Sequence, residues 1–156
     1  MVTQKQDMAD VFSIFHDGSI EEYKVEKESI FLKIYCQYLA KNINPFYEFF
    51  WVKLNQLNSI SLLPWLKNSQ EELFWTNIDL IFEKELEILN AKITLEDTIQ
   101  VFCDCSNIFE ENEVNYVGAT LEFDCYSILI FDENKQEINL DYLKKIAAKY
   151  WKEFSE

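Results

Sequence analysis

Ser29–Leu39 reads SIFLKIYCQYL, and this stretch decides the fold. Apolar side chains occupy alternate positions at Ile30, Leu32 and Ile34, while Lys33 falls on the opposite face. A period of two is typical of a β-strand with one face buried. The stretch therefore predicts a strand that packs one face on a core.

Strand patterns continue on both sides of this segment. Ser19–Glu26 alternates less regularly, and Glu26–Glu28 is a plausible hairpin turn between the two runs. The Asn58–Glu72 stretch fits either a short helix or a packed loop. The other predicted strands are Phe46–Leu54, Ile78–Phe82, Glu85–Ile93, Thr98–Cys105 and Tyr116–Phe131, the last as two strands or one bent strand.

A helix is predicted at the C-terminal end. From Leu140 to Phe154 the apolar residues recur with the 3, 4 spacing of one helical face. Asn139 can cap this helix, and Asp141 in its first turn suits the helix dipole. We expect an α+β fold over residues 1–156 as one domain. It would consist mainly of an antiparallel β-sheet or partly open barrel with one C-terminal helix packed on it.

The charge balance limits the classes of partner. The chain carries 28 acidic residues against 14 basic ones, all lysine, for a net charge of −14. Nucleic acid and anionic membranes need a basic patch, so both are disfavoured as partners. A basic protein would be attracted, with an association rate that falls as salt rises.

The chain shows no targeting or metal-binding pattern. Met1–Asp10 is polar, and no apolar run approaches the length of a membrane span. The cysteines are therefore expected to be reduced thiols in a cytoplasmic protein. Cys103 and Cys105 form a C-x-C pair that does not match the spacing of structural zinc sites, so neither a metal nor a cofactor is expected.

His16-Asp17-Gly18 is the sharpest local motif. A histidine beside an aspartate resembles a general base or a metal pair. Adjacent residues on a strand point to opposite faces, however, which argues against direct contact. The structural alternative is a turn in which Asp17 bonds backbone amides, Gly18 takes a positive φ and His16 packs or caps. A contact with a partner is a third alternative.

Other catalytic motifs, including phosphate-binding loops and nucleophile elbows, are not found, and we expect a protein that is not an enzyme. Surplus aromatics and acids predict a binding surface instead, at Trp65 and Trp75 with Glu110, Glu111 and Glu113. The alternative is a small-ligand-binding β-barrel or sandwich with aromatics lining its pocket. A homo-oligomer is compatible with either.

Several short stretches resemble a group of small bacterial proteins. They are Phe15-His16-Asp17-Gly18-x-Ile20, Tyr116-Val117-Gly118-Ala119-x-Leu121, the Asp132-Glu133 turn and Tyr150-Trp151. Some members of that group are similar to immunity proteins of polymorphic-toxin systems. The resemblance implies a bacterial, intracellular protein and favours an immunity protein that neutralises a basic toxin. It supplies no catalytic residue.

Overall fold

The computed structural model describes residues 1–66, 74–104 and 116–155. Within these ranges, four helices are interspersed among seven strands. In chain order they are α1 (Lys5–Ile14), β1 (Ser19–Glu26), β2 (Ser29–Tyr35), α2 (Gln37–Ala40), β3 (Phe49–Leu66), α3 (Ile78–Ile81), β4 (Leu86–Ile93), β5 (Ile99–Asp104), β6 (Tyr116–Phe131), β7 (Glu137–Ile138) and α4 (Leu140–Ser155).

The described strands form one antiparallel sheet in the order β3-β2-β1-β4-β5-β6-β7. A further pairing of β3 with β6 partly closes this sheet into a ring, although it is not a barrel. Among the described strands, the shortest pairings are those of β1 with β4 and of β6 with β7, with two register pairs each. The expected α+β fold, with an antiparallel sheet and a C-terminal helix packed on it, is confirmed.

The long strands β3 and β6 connect the two halves of the ring. Near the middle of β3, Gln56 takes a positive φ of 49° and the register shifts between Leu57 and Ser59. Such an irregularity bends a strand and increases its twist. The first half of β3 therefore pairs with β2, while the second half runs beside the part of β6 that meets β5.

Helix α1 fills the inner face of the sheet, although the sequence pattern did not predict a helix there. Met8, Val11 and Phe12 are fully buried there, and the Phe12 ring lies 5.3 Å from the Phe123 ring of β6. Just beyond the helix, the Phe15 ring lies 5.0 Å from the Phe50 ring of β3. The sheet thus buries its inner side chains against a helix, in a single apolar cluster.

Helix α4 begins where its sequence pattern indicates. The Asn139 side chain accepts a hydrogen bond from the Tyr142 amide at 2.8 Å, as an N-cap does. Leu143, Ile146 and Ala147 are the buried residues of its apolar face. Its nearest helical neighbours are α1 and α2, so it covers the sheet together with them.

Some predicted boundaries are wrong. Ile78–Phe82 was expected as a strand, but it contains helix α3, because the Asn77 side chain caps the amides of Asp79 and Leu80. Residues 58–66 of the helix-or-loop stretch belong to strand β3, and the rest of that stretch lies outside the described residues. The Glu26–Glu28 hairpin turn is confirmed, with Lys27 at a φ of 54°.

Candidate functional site

The His16-Asp17-Gly18 motif lies in the turn between α1 and β1. Because these residues are not in a strand, the expectation that adjacent side chains diverge does not apply. His16 Nδ1 lies 3.3 Å from Asp17 Oδ2. The expectation for Gly18 is also wrong: Asp17 takes the positive φ, at 66°, while Gly18 does not.

Gly18 is needed for close packing instead. A Cβ atom on Gly18 would lie 2.8 Å from the Tyr35 carbonyl oxygen and 2.9 Å from that of Phe15. Both contacts are with backbone, which cannot move aside as a flexible side chain can. The Asp17 amide also donates to the Ile88 carbonyl at 2.9 Å, and the Ile88 amide donates to the Gly18 carbonyl at 2.7 Å. The turn therefore joins β4 to the start of β1.

Aromatic side chains enclose His16. Its ring stacks on Trp151 of α4 with centroids 5.0 Å apart, and the Tyr38 hydroxyl donates to the His16 carbonyl at 2.5 Å. Tyr38 in turn packs on Tyr150, with centroids 4.7 Å apart. Burial raises the pKa of Tyr38 above its ordinary value, so its hydroxyl remains a donor at neutral pH. These contacts hold the turn, α2 and α4 together.

The thiols are buried rather than reactive. Cys36, Cys103 and Cys125 are buried, while Cys105 lies outside the described residues. Burial raises the pKa of both Cys36 and Cys125 to about 12, which suppresses the thiolate that metals and electrophiles require. Within residues 1–66, 74–104 and 116–155, no three His, Cys, Asp or Glu side chains group as metal ligands.

Trp65 lies on the outer face of the sheet. Its indole N–H donates to the Thr120 hydroxyl at 2.8 Å, and its ring lies 6.2 Å from that of Phe102. The ring rests on Gly118, where a Cβ atom would come within 2.5 Å of the indole. Gly118 therefore makes room for the indole, and the partly exposed Trp65 side chain is held in one orientation.

Acidic residues share the outer face of the sheet with Trp65. Glu122 shares the outer face and accepts hydrogen bonds from Thr98 at 3.1 Å and Gln100 at 2.9 Å. At the other end of β5, Asp104 pairs in register with Glu87. We call Leu63, Trp65, Phe102, Asp104, Glu122 and Glu87 the Trp65 face.

The other predicted binding residues do not all join this face. Trp75 forms an isolated bridge with Leu62, and its side chain packs against the core together with that buried leucine. Glu110, Glu111 and Glu113 lie outside the described residues.

A second outer surface was not found in the sequence. Register pairs place Phe31 beside Lys53, and Lys33 beside Trp51, on the outer side of β2 and β3. Trp51 also pairs with Phe131 of β6. The signal was present in the alternation of aromatic and lysine residues opposite the buried positions of each strand. We call Lys24, Phe31, Lys33, Phe49, Trp51, Lys53, Phe131 and Lys135 the Trp51 face.

Of the helices in the described ranges, none combines the length and apolar character required to span a membrane. Comparison of the chain with known proteins finds no matching family model, no matching curated protein and no matching solved structure.

Proposed function

We propose that this chain is a non-enzymatic module that binds a basic protein through its Trp65 face. The observation that carries the proposal is the partly exposed indole of Trp65, fixed by its hydrogen bond to Thr120 on an outer sheet face that also carries Glu122 and Asp104. Aromatic anchors with few accessible rotamers contribute most to protein interfaces, and an acidic rim accelerates encounter with a cationic partner.

The overall charge supports the same partner chemistry. A net charge of −14 gives the protein a negative field that attracts cations and repels nucleic acid. An immunity protein that neutralises a basic toxin would have these properties, and the resemblance of the turn motif agrees with it. We therefore propose this cytoplasmic, bacterial role as the finer function.

The small-ligand alternative gains no such support. Its pocket would need an open interior, but α1 and the turn after it place Met8, Phe12 and Phe15 on the inner face of the sheet with no exposed surface. The described inner face is therefore filled by side chains.

A capture experiment tests the proposed function. The tagged protein is immobilised, exposed to native host lysate at low salt, and eluted with rising salt. We expect a basic protein that is released as the salt rises, because screening weakens the attraction. The Trp65→Ala variant should lose this protein, while Trp51→Ala, which removes a tryptophan from the other face, should retain it. Recovery only of acidic or salt-insensitive proteins, or equal loss from both variants, would contradict the proposal.

A separate experiment tests the proposed immunity role. If the captured protein is a toxin, its production alone should arrest growth of the host, and co-production of this chain should restore growth. The Trp65→Ala variant should fail to restore it. Growth that is unaffected by the captured protein would remove the immunity role but leave the binding module.

A further inference from the structure

The Trp51 face contains a groove of about 220 Å³, lined by Lys24, Glu26, Phe31, Trp51, Phe131 and Lys135. Its floor is aromatic: the rings of Phe31 and Phe131 lie 6.3 Å apart. The Lys135 ammonium lies 5.7 Å from the centre of the Trp51 ring. Lys135 reaches this position from a tight turn in which it takes a φ of 60°.

Three of the four lysines of this face lie over aromatic rings. The Lys53 ammonium lies 5.1 Å from the Phe31 centroid, and that of Lys33 lies 4.3 Å from the Phe49 centroid. Lys33 is also 3.7 Å from Glu22. Among the described residues, by contrast, no carboxylate lies within ion-pair distance of Lys24, Lys53 or Lys135.

The clustering of lysines on this face contrasts with a chain that has twice as many acids as lysines. Among the described residues only three lysines form ion pairs, so the distinctive feature of this face is the position of its lysines around aromatic rings. Lysine stems that only cover apolar surface would explain the ring contacts. They do not explain why the ammoniums frame an aromatic groove whose lining includes a single carboxylate, that of Glu26.

The size and openness of the groove indicate what occupies it. Sites for free small molecules usually enclose about 300–1,000 Å³ and bury most of their ligand. A groove of about 220 Å³ on an outer sheet face instead fits one side chain of a larger partner. The rest of that partner would lie across the flanking lysines.

We propose that the Trp51 face binds an acidic protein segment that inserts one aromatic side chain between Phe31, Trp51 and Phe131. Carboxylates beside that aromatic side chain would pair with Lys24, Lys53 and Lys135. The protein then has two binding faces of opposite polarity, and this second face does not depend on the basic partner of the Trp65 face.

Two other occupants fit less well. Nucleic acid would need a continuous basic track, but Glu22 and Glu26 interrupt the lysines, and the chain contains no arginine. A second copy of the chain would have to bring its acidic surface to this face. Binding of an oligothymidylate and self-association of the protein distinguish these two occupants from an acidic segment.

The test uses peptides of matched shape. A blocked pentapeptide with one Phe between four Asp residues is titrated into isotopically labelled protein, and backbone amide shifts are recorded by NMR. The same peptide with Asn in place of Asp is the neutral control. We expect the acidic peptide to shift the amides of Phe31, Trp51 and Phe131. The neutral peptide should bind about fivefold more weakly or not at all.

Lysine substitutions test whether the acidic peptide binds at the Trp51 face. Lys24→Gln with Lys135→Gln should weaken the acidic peptide about fivefold, while Lys92→Gln should not. Lys92 is the matched control, because its ammonium lies 5.4 Å from the Phe102 ring on the Trp65 face. Thermal unfolding confirms that each variant is folded.

Four outcomes would overturn the proposal. They are an absence of shifts, equal binding of the two peptides, equal weakening by Lys92→Gln, and tighter binding of an oligothymidylate of similar length. Sedimentation adds a fifth: if the protein self-associates and the Lys24→Gln, Lys135→Gln pair abolishes this, the occupant is a second copy. None of these outcomes bears on the basic partner.

Discussion

The α1–β1 turn has two structural requirements, and each is met by a different one of two neighbouring residues. Asp17 supplies a positive φ, and Gly18 supplies the space for backbone to approach backbone. The dipeptide Asp-Gly predicts a turn, but it does not reveal which residue meets which requirement. Only the positions of the Phe15 and Tyr35 carbonyls do so.

Substitutions in this turn should therefore differ in cost. Gly18→Ala should destabilise the protein by about 1–3 kcal/mol, because its Cβ atom would overlap two carbonyl oxygens. Asp17→Gly should change the free energy of unfolding by less than about 1 kcal/mol, because glycine accepts a positive φ without strain. Urea unfolding measures both. Similar costs for the two variants would refute this division of roles.

Asp124 gives the folded state a pH dependence. Lys5 donates to its carboxylate at 2.5 Å, and this hydrogen bond lowers the pKa of Asp124 below its ordinary value. The resulting stability is present above the pKa of the unfolded chain, about 3.9, and is lost as pH falls through the lower folded pKa.

Asp124→Asn should therefore be less stable than wild type by about 1 kcal/mol at neutral pH. The difference should shrink towards zero in strong acid, where Asp124 is protonated in both states of the wild type. Urea unfolding at a series of pH values between about 2 and 7 measures it. A constant difference across that range would show that the ionised carboxylate is not responsible.

At the scale of elements, a strong periodicity of apolar residues predicted the secondary structure correctly, whereas a weak one did not. The apolar face of α4 repeats over several turns, so its helix could be predicted from Leu140 onwards. Helix α1 has a polar beginning, and its buried Met8 and Phe12 were not recognised as one face. The short apolar pattern of Ile78–Phe82 fits either a strand or a helix. The capping side chain of Asn77 stabilises the helix.

The position of α1 makes it a structural element of the core. Phe12→Ala should destabilise the protein by about 3–5 kcal/mol, because it leaves a cavity against Phe123. Phe46→Ala is the matched control and should cost less than about 0.5 kcal/mol, because the Phe46 side chain is 87% exposed. Chemical unfolding compares the two. If Phe12→Ala were as mild as its control, α1 would not be part of the cooperative core.

At the scale of the whole molecule, charge is sorted by face in a manner that composition does not reveal. The sequence predicts a negative molecule and an aromatic surplus. Lys33, Lys53 and Lys135 are far apart along the chain, and only the register of β2, β3 and β6 brings them to one surface. The sequence was sufficient to propose Trp65 as a binding residue. It was not sufficient to predict that the Trp65 side chain lies on the outer face of the sheet.

The excess of acid should make stability depend on salt. Raising the salt from about 0.02 M to about 0.2 M should raise the melting temperature by about 2–5 °C, because screening weakens self-repulsion. The effect should fade near the pI of about 4.4, where the net charge vanishes. Thermal unfolding monitored by circular dichroism measures both conditions. A salt effect of the same size at the pI would show that charge repulsion is not its cause.

The pairing of β3 with β6 also has a consequence for the timing of synthesis. Strand β3 ends at Leu66, and the last residue of β6, Phe131, follows it by about 65 residues. At roughly 5–20 residues per second, a ribosome needs about 3–13 s to add them. During that interval the nascent chain contains β3 without β6, the strand with which it forms its longest pairing. The second half of β3 does not pair with β2 either, so it has no partner strand at this stage. The newborn chain therefore passes through a period in which a chaperone would be most useful, before its sheet can close.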